Sequence, residues 1–168
     1  MRDVEKFVEL LAKMKSQLTT ETELELVKEF EQQIWKSVGE VWKDIAGYEG
    51  FYKISNYGRI KSFKNKKPRI LSTCLDTKNY PKVTLCKDGI QKTYLIHVLV
   101  ATAFIPNPDN LPVVHHRDNN PHNNRVENLE WVTYKQNIVY AYAAGRVRPP
   151  YKRKNFVGLG SRRERRAK

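Results

Sequence analysis

Cysteine is scarce in this chain, and the two present, Cys74 and Cys86, stand twelve positions apart with no CxxC unit around them. That spacing gives no support to a zinc ribbon. Both are expected to be reduced and at least partly buried. Long apolar runs are also missing. No stretch approaches the about 18 to 20 apolar residues of a membrane span, and the opening MRDVEKFVELL is too acidic for a secretory signal. The expectation is a cytoplasmic protein with no membrane contact. No internal repeat is visible.

Acidic residues run short in one place above all. Residues 146–168 carry ten Lys/Arg against a single Asp/Glu, whereas residues 1–39 carry six against eight and residues 40–145 carry 15 against nine. The formal charge of +13 is therefore concentrated at one end. A polybasic arm of this density binds polyanions almost regardless of its conformation, and nucleic acid is the partner it suggests. With 168 residues the chain has room for one domain with a real core and small appendages.

Apolar residues Val4, Phe7, Val8, Leu11, Met14 and Leu18 recur at helical spacing, and a second helix is expected from Thr20 through Leu24, Val27, Phe30 and Ile34 to a stop at Gly39. Thr20 and Glu23 have capping-box spacing. The pair reads as a helical hairpin with an acidic outer face, suited to packing or to a protein partner rather than to DNA.

After Gly39 the composition turns to aromatics, glycine and β-branched residues. WKDIAGYEGFYKISNYGRIKSF predicts short antiparallel strands joined by turns at Gly47, Gly50 and Asn56-Tyr57-Gly58. Alternation in Arg59-Ile60-Lys61 sends cations to one face, and RIKSFKNKKPR contains no acid. A hairpin around Lys87-Asp88-Gly89 and a short buried helix over HVLVATAF, His97 to Phe104, are expected next. Trp42 and Tyr48 read as packing residues of the small β module.

The segment VVHHRDNNPHNNRVENLEWVTYKQN, Val113 to Asn137, is of another kind. Val113 and Val114 start a strand that ends in His115 and His116, whose side chains must point to opposite faces unless the strand stops there. The asparagine-rich run after them consists of turn formers and predicts a compact loop. LEWV returns as a strand with Leu129 and Trp131 inward, and Thr133 caps a helix running to about Ala144. Asn137 lies one turn into that helix, facing back to the strands. An imidazole nitrogen and an amide oxygen there would form a weak, open site for a hard divalent cation, with water and a phosphate completing its shell. The second histidine would be free to act as a base. His122 has no partner by spacing and is expected in solvent; His97, in an apolar run, reads as a satisfied core histidine.

HH followed by NNRVENLEWVTYKQN resembles the HNH nuclease motif, the ββα-metal fold of phage and intron-encoded homing endonucleases. WKDIAGYEGFYKISNYGRIKS resembles the small DNA-binding module that precedes it in those enzymes. The resemblance covers roughly residues 41–140; with the hairpin and tail read above, the expectation is an α+β chain with four parts: a helical hairpin (1–39), a small antiparallel β DNA-binding module (40–72), an HNH nuclease domain (73–145) and a basic DNA-binding tail (146–168). The resemblance implies His116 as general base, Asn128 as the residue that ties the loop to the strand and orients the base, and His115 and Asn137 as metal ligands. The implied cofactor is a divalent metal, Mg²⁺ before Mn²⁺, and the implied partner is double-stranded DNA, bound by a monomer that nicks one strand at a specific site. Arg59, Lys61 and Lys64 on the β module, and Arg146, Arg148, Lys152, Arg153 and Lys154 after the last helix, are the candidate DNA contacts. Two other readings stay open. One is a DNA-binding protein on an inactive nuclease fold; the other is an RNA-binding or structural protein that works through its tail.

Overall fold

The computed structural model describes residues 2–15 and 17–146. Arg148, Lys152, Arg153 and Lys154 lie outside the described residues. Two amphipathic helices open the chain, α1 (Arg2–Lys15) and α2 (Glu21–Ser37), with Phe7 edge-on to Phe30 at 5.9 Å between them. The capping box forms: Thr20 Oγ1 accepts from the Glu23 amide, and the Glu23 carboxylate accepts from the Thr20 amide. The helix ends through an extended Val38 rather than through a left-handed glycine at 39. The hairpin is not a separate appendage. Trp35, buried, meets Phe104 edge-on at 5.7 Å and enters the core shared by the rest of the chain.

Strands β1 (Trp42–Asp44), β2 (Tyr52–Ser55), β3 (Ile60–Ser62) and β4 (Arg69–Ile70) form an antiparallel sheet in that order. Its alternation buries Tyr52, Ile54 and Ile60 and places Lys53 opposite Lys61 on the outer face. A second sheet contains β5 (Cys74–Leu75), β6 (Pro81–Lys87) and β7 (Ile90–Leu95). Asp88 and Gly89 both adopt positive φ, as a two-residue hairpin turn requires. Cys86 is half-buried, but Cys74 is exposed, against expectation, because β5 is a two-residue edge strand with nothing packed over it.

Helix α3 (Ile96–Phe104) is apolar on almost every side, and the fold surrounds it: β2, β6, β7 and the third sheet all touch it. That third sheet pairs β8 (Val113–His116) with β9 (Leu129–Val132), and α4 (Tyr134–Ala143) follows. Thr133 and Gln136 close a second capping box, so α4 starts at a fixed point one residue after β9. One apolar cluster runs from Trp35 through Ile54, Leu85 and Val100 to Leu129.

Asn56 ties the turn after β2 to the chain entering β1 and to the short turn that precedes β9. Fully buried, it accepts from the Val41 amide at 2.8 Å and donates to the Gly39 carbonyl, while its own carbonyl accepts from the Val126 amide at 2.8 Å. Every polar atom of this side chain is therefore used, which makes burial of an asparagine at 0% exposure tolerable.

Candidate active site

The two histidines ending β8 separate to opposite faces, as strand pleating demands. His115 turns to α4. Its ring lies against Tyr140 at 4.6 Å with 35° between the planes, and Asn137 of the same helix is near enough to influence its titration. His116 turns to α3, edge-on to His97 at 4.9 Å, with the Tyr80 ring 6.0 Å away. The strand stops at His116, whose carbonyl accepts from the Asn119 amide at the first turn of the loop.

The loop is held by its own asparagines. Asn128 Oδ1 accepts from the Asp118 amide at 3.1 Å, and its Nδ2 donates to Asp118 Oδ1 and to the Asn123 carbonyl. Asn128 thus ties loop to strand, but it does not touch the base. The partner of His116 is Asn124, whose Oδ1 lies 3.1 Å from Nε2. With an amide oxygen at that distance, Nε2 carries the proton and Nδ1 keeps its lone pair. Burial lowers the pKa of His116, opposed by the Asn124 hydrogen bond and by Asp118 and assisted by Arg146. His115 is lowered as well, first by burial and then by Arg146, against the opposing pull of Glu130 and Asn137. Both shifts favour the neutral imidazole at pH 7.

Beside His115 an open cleft is lined by Arg117, Glu130 and Tyr140 on one side and by Glu25, Lys28 and Gln32 of α2 on the other. Glu130, directly across the strand pair from His115, sits 3.4 Å from Arg117 and 4.0 Å from Lys28. The N-terminal hairpin therefore forms a wall of this cleft.

Two expectations are corrected. His97 is buried but not satisfied: its Nδ1 has no hydrogen-bond partner, and burial, reinforced by neighbouring His116, brings its pKa down to about 4. His122 is exposed as expected but not alone, for Asn79 donates to its Nε2 at 3.0 Å. Sequence reading passed over Asn124, Tyr140 and Tyr80. The only available signal was helical spacing, since Tyr140 falls three residues after Asn137 on one face of α4. Asn124 looked like any other turn former.

The candidate DNA contacts fare differently from one another. Lys61 projects from β3 with its ammonium 4.2 Å from the Trp42 ring centre. Arg59 is engaged with the Glu40 carboxylate, and Lys64 donates to the Cys86 carbonyl at 2.8 Å. Arg146 is exposed just past α4, and its charge is felt at both His115 and His116.

Comparison with known proteins bears on these elements directly. Residues 40–86 match the family model of the NUMOD4 motif, and residues 94–139 match that of the HNH endonuclease. The chain carries a NUMOD4 motif followed by an HNH domain. It is 42% identical over 97 residues to DNA endonuclease I-HmuI of Bacillus phage SP01, covering 58% of this chain and 55% of that protein. It is also 42% identical over 94 residues to the SPbeta prophage-derived putative HNH homing endonuclease YosQ of Bacillus subtilis, covering 55% of this chain and 53% of that one. A solved structure titled "DNA binding and cleavage by the HNH homing endonuclease I-HmuI" aligns with a TM-score of 0.58 and 38% identity, over 65% of this chain and 62% of that chain. The chain thus spans little more than half the length of these relatives. The HNH match takes in α3, β8, β9 and the first half of α4, and so contains His115, His116, Asn124, Asn128 and Asn137; Tyr140 lies one residue beyond it.

HNH nucleases generally use a divalent metal. Among the described residues no group of three His, Cys, Asp or Glu side chains is placed to hold one. In the HNH domain His115 of β8 and Asn137 of α4 stand near each other on facing elements. One imidazole nitrogen and one amide oxygen suit a divalent cation that keeps its remaining positions for water and phosphate. The residues fit such an ion.

Proposed function

We propose that this protein is a metal-dependent DNA endonuclease that hydrolyses a phosphodiester with His116 as general base, acting at a specific site and nicking one strand. The observation that carries the reading is a His116 whose Nε2 is occupied by Asn124, beside a His115 whose ring lies against Tyr140, three residues from Asn137 on one face of α4. Asn124 holds the imidazole with Nδ1 unprotonated, and Nδ1 takes the proton of the attacking water. His115 and Asn137 are the ligands for one divalent cation, Mg²⁺ or alternatively Mn²⁺. When bound, the cation supplies positive charge against the phosphate oxygens and the leaving 3′-oxygen.

His115 and His116 face opposite sides of β8, so a single phosphate served by both must lie across the end of the strand, where the backbone turns away at His116. Arg146 sits where its charge favours a phosphate at that position. The outer face of the NUMOD4 sheet, with Lys53 and Lys61, and the polybasic segment from 146 onward serve as the sequence-independent grip on the duplex. The protein acts as a monomer, one such site being present among the described residues.

Supercoiled plasmid is the test substrate, incubated with Mg²⁺ or Mn²⁺, with EDTA, and with the His116→Ala variant. Removing a general base costs about 10²- to 10⁴-fold in rate. Nicked product that needs the metal and vanishes with His116→Ala is expected. Binding of DNA by both forms, with cleavage by neither on any substrate, would instead identify a DNA-binding protein on an inactive nuclease fold.

A further inference from the structure

We propose that Tyr140 is a positioning residue for His115, fixing the imidazole in the plane and direction that meet Asn137, and that metal binding depends on its ring. The inference rests on the assignment of His115 and Asn137 as ligands. Its starting point is a gap in how His115 is held. A metal-ligating histidine ordinarily has its second ring nitrogen fixed by a carboxylate, a carbonyl or water, which sets the ring's orientation. Here Asn137, the other proposed ligand, is a polar side chain close to the His115 ring. A cation held between the two would occupy both, leaving neither to fix the other's orientation.

The stack on Tyr140 does not depend on their polar atoms. At 4.6 Å between centroids and 35° between planes, the phenol lies against the imidazole in a tilted stack, a contact of ring on ring that uses neither nitrogen as a hydrogen-bonding atom. Helix geometry explains the pairing: Asn137 and Tyr140 are three apart on α4, so one helix face delivers a ligand and the platform for its partner ligand. Without the platform, His115 at the end of a two-stranded sheet could adopt other rotamers, most of which carry its ring away from Asn137.

Tyr140 is itself supported. It lines the same cleft as Lys28 of α2, which lies near enough for the two to interact electrostatically and which also pairs with Glu130. The N-terminal hairpin, outside both family matches, thereby walls the cleft that Tyr140 lines from the other side.

The test uses the full chain labelled with ¹⁵N-histidine and follows the imidazole signals during titration with Mn²⁺ at fixed pH. Only four histidines are present, and His115→Gln assigns the one of interest. In the wild type, the His115 signal should broaden at lower Mn²⁺ than that of His97 or His122. Tyr140→Phe keeps the ring and should titrate like the wild type. Tyr140→Leu keeps apolar bulk and helix propensity but not the ring, and should need about 10-fold more Mn²⁺ to broaden His115. An unmoved His97 signal shows that the core of that variant is intact; if it moves, Tyr140→Met takes its place. Equal Mn²⁺ dependence in the wild type and the ring-less variant would overturn the role of Tyr140 while leaving the ligands standing. Failure of His115 to broaden first in the wild type would remove the ligand assignment itself, and Tyr140's role with it.

Discussion

Gly58 and Asn124 are in contact so close that a Cβ on the glycine would lie 2.9 Å from the Cβ of the asparagine. One belongs to the turn between β2 and β3 in the NUMOD4 motif; the other is the hydrogen-bond partner of the proposed base His116. The contact makes the geometry of the HNH loop dependent on the preceding sheet. Gly58 also has φ +80°, a conformation that costs other residues about 1 to 2 kcal/mol.

Gly58→Ala should therefore destabilise the fold by about 2 kcal/mol or more, combining backbone strain with overlap against a backbone-anchored neighbour. Cleavage should fall further than stability explains, because Asn124 has to give way. Urea unfolding beside single-turnover cleavage measures both, and an unchanged urea midpoint would contradict the packing described.

Asn124→Ala removes the acceptor that holds the His116 proton on Nε2. The expected result is a loss of about 10- to 100-fold in kcat with KM nearly unchanged, since no DNA contact is removed. Stability should drop by about 1 to 3 kcal/mol for the buried donor left unpaired. A large rise in KM at constant kcat would show that Asn124 acts on binding instead.

His97 gives the fold a pH dependence of known sign. Its folded-state pKa is about 4, against 6.5 for the free side chain, chiefly through burial and then through the charge of His116, with Asp76 opposing. Between those values the unfolded chain binds a proton that the folded chain refuses. Stability is thus complete above pH 6.5 and declines as pH falls toward 4, by about 3 kcal/mol for this residue. His97→Phe keeps the aromatic packing against Tyr80 and removes the buried, unpartnered Nδ1. Urea midpoints at pH 7 and pH 4.5 should lie closer together in this variant than in the wild type. His115 and His116 are lowered as well and leave part of the acid sensitivity in place.

Lys61 and Arg59 should separate in salt dependence. Lys61 rests over Trp42 with the Glu40 carboxylate only in electrostatic reach, whereas Arg59 is hydrogen-bonded to that carboxylate. If the outer face of the first sheet follows DNA phosphates, Lys61→Ala should reduce the slope of log K against log salt by about 0.9, and Arg59→Ala should change it much less. Binding titrations over a range of NaCl, with a duplex of fixed length, would show whether the two variants differ.

Much of this molecule was legible in one dimension because the relevant physics is local. Helical periodicity and the Thr20 and Thr133 caps located α2 and α4; turn formers located the loop after His116; strand alternation already required His115 and His116 to part. Charge placement, too, is a matter of composition alone. What only tertiary structure decided is which side chains from distant segments meet. Asn124, Tyr140, His97 and Tyr80 became neighbours of the two histidines because α3 is buried at the centre and draws three sheets around itself. The hairpin's place beside the cleft was equally invisible, since an acidic outer face says nothing about where Trp35 and Lys28 on the same helix will dock. Periodicity determines that a face will be buried. Its partner is set by the long-range packing of the whole core, and no local pattern carries that information.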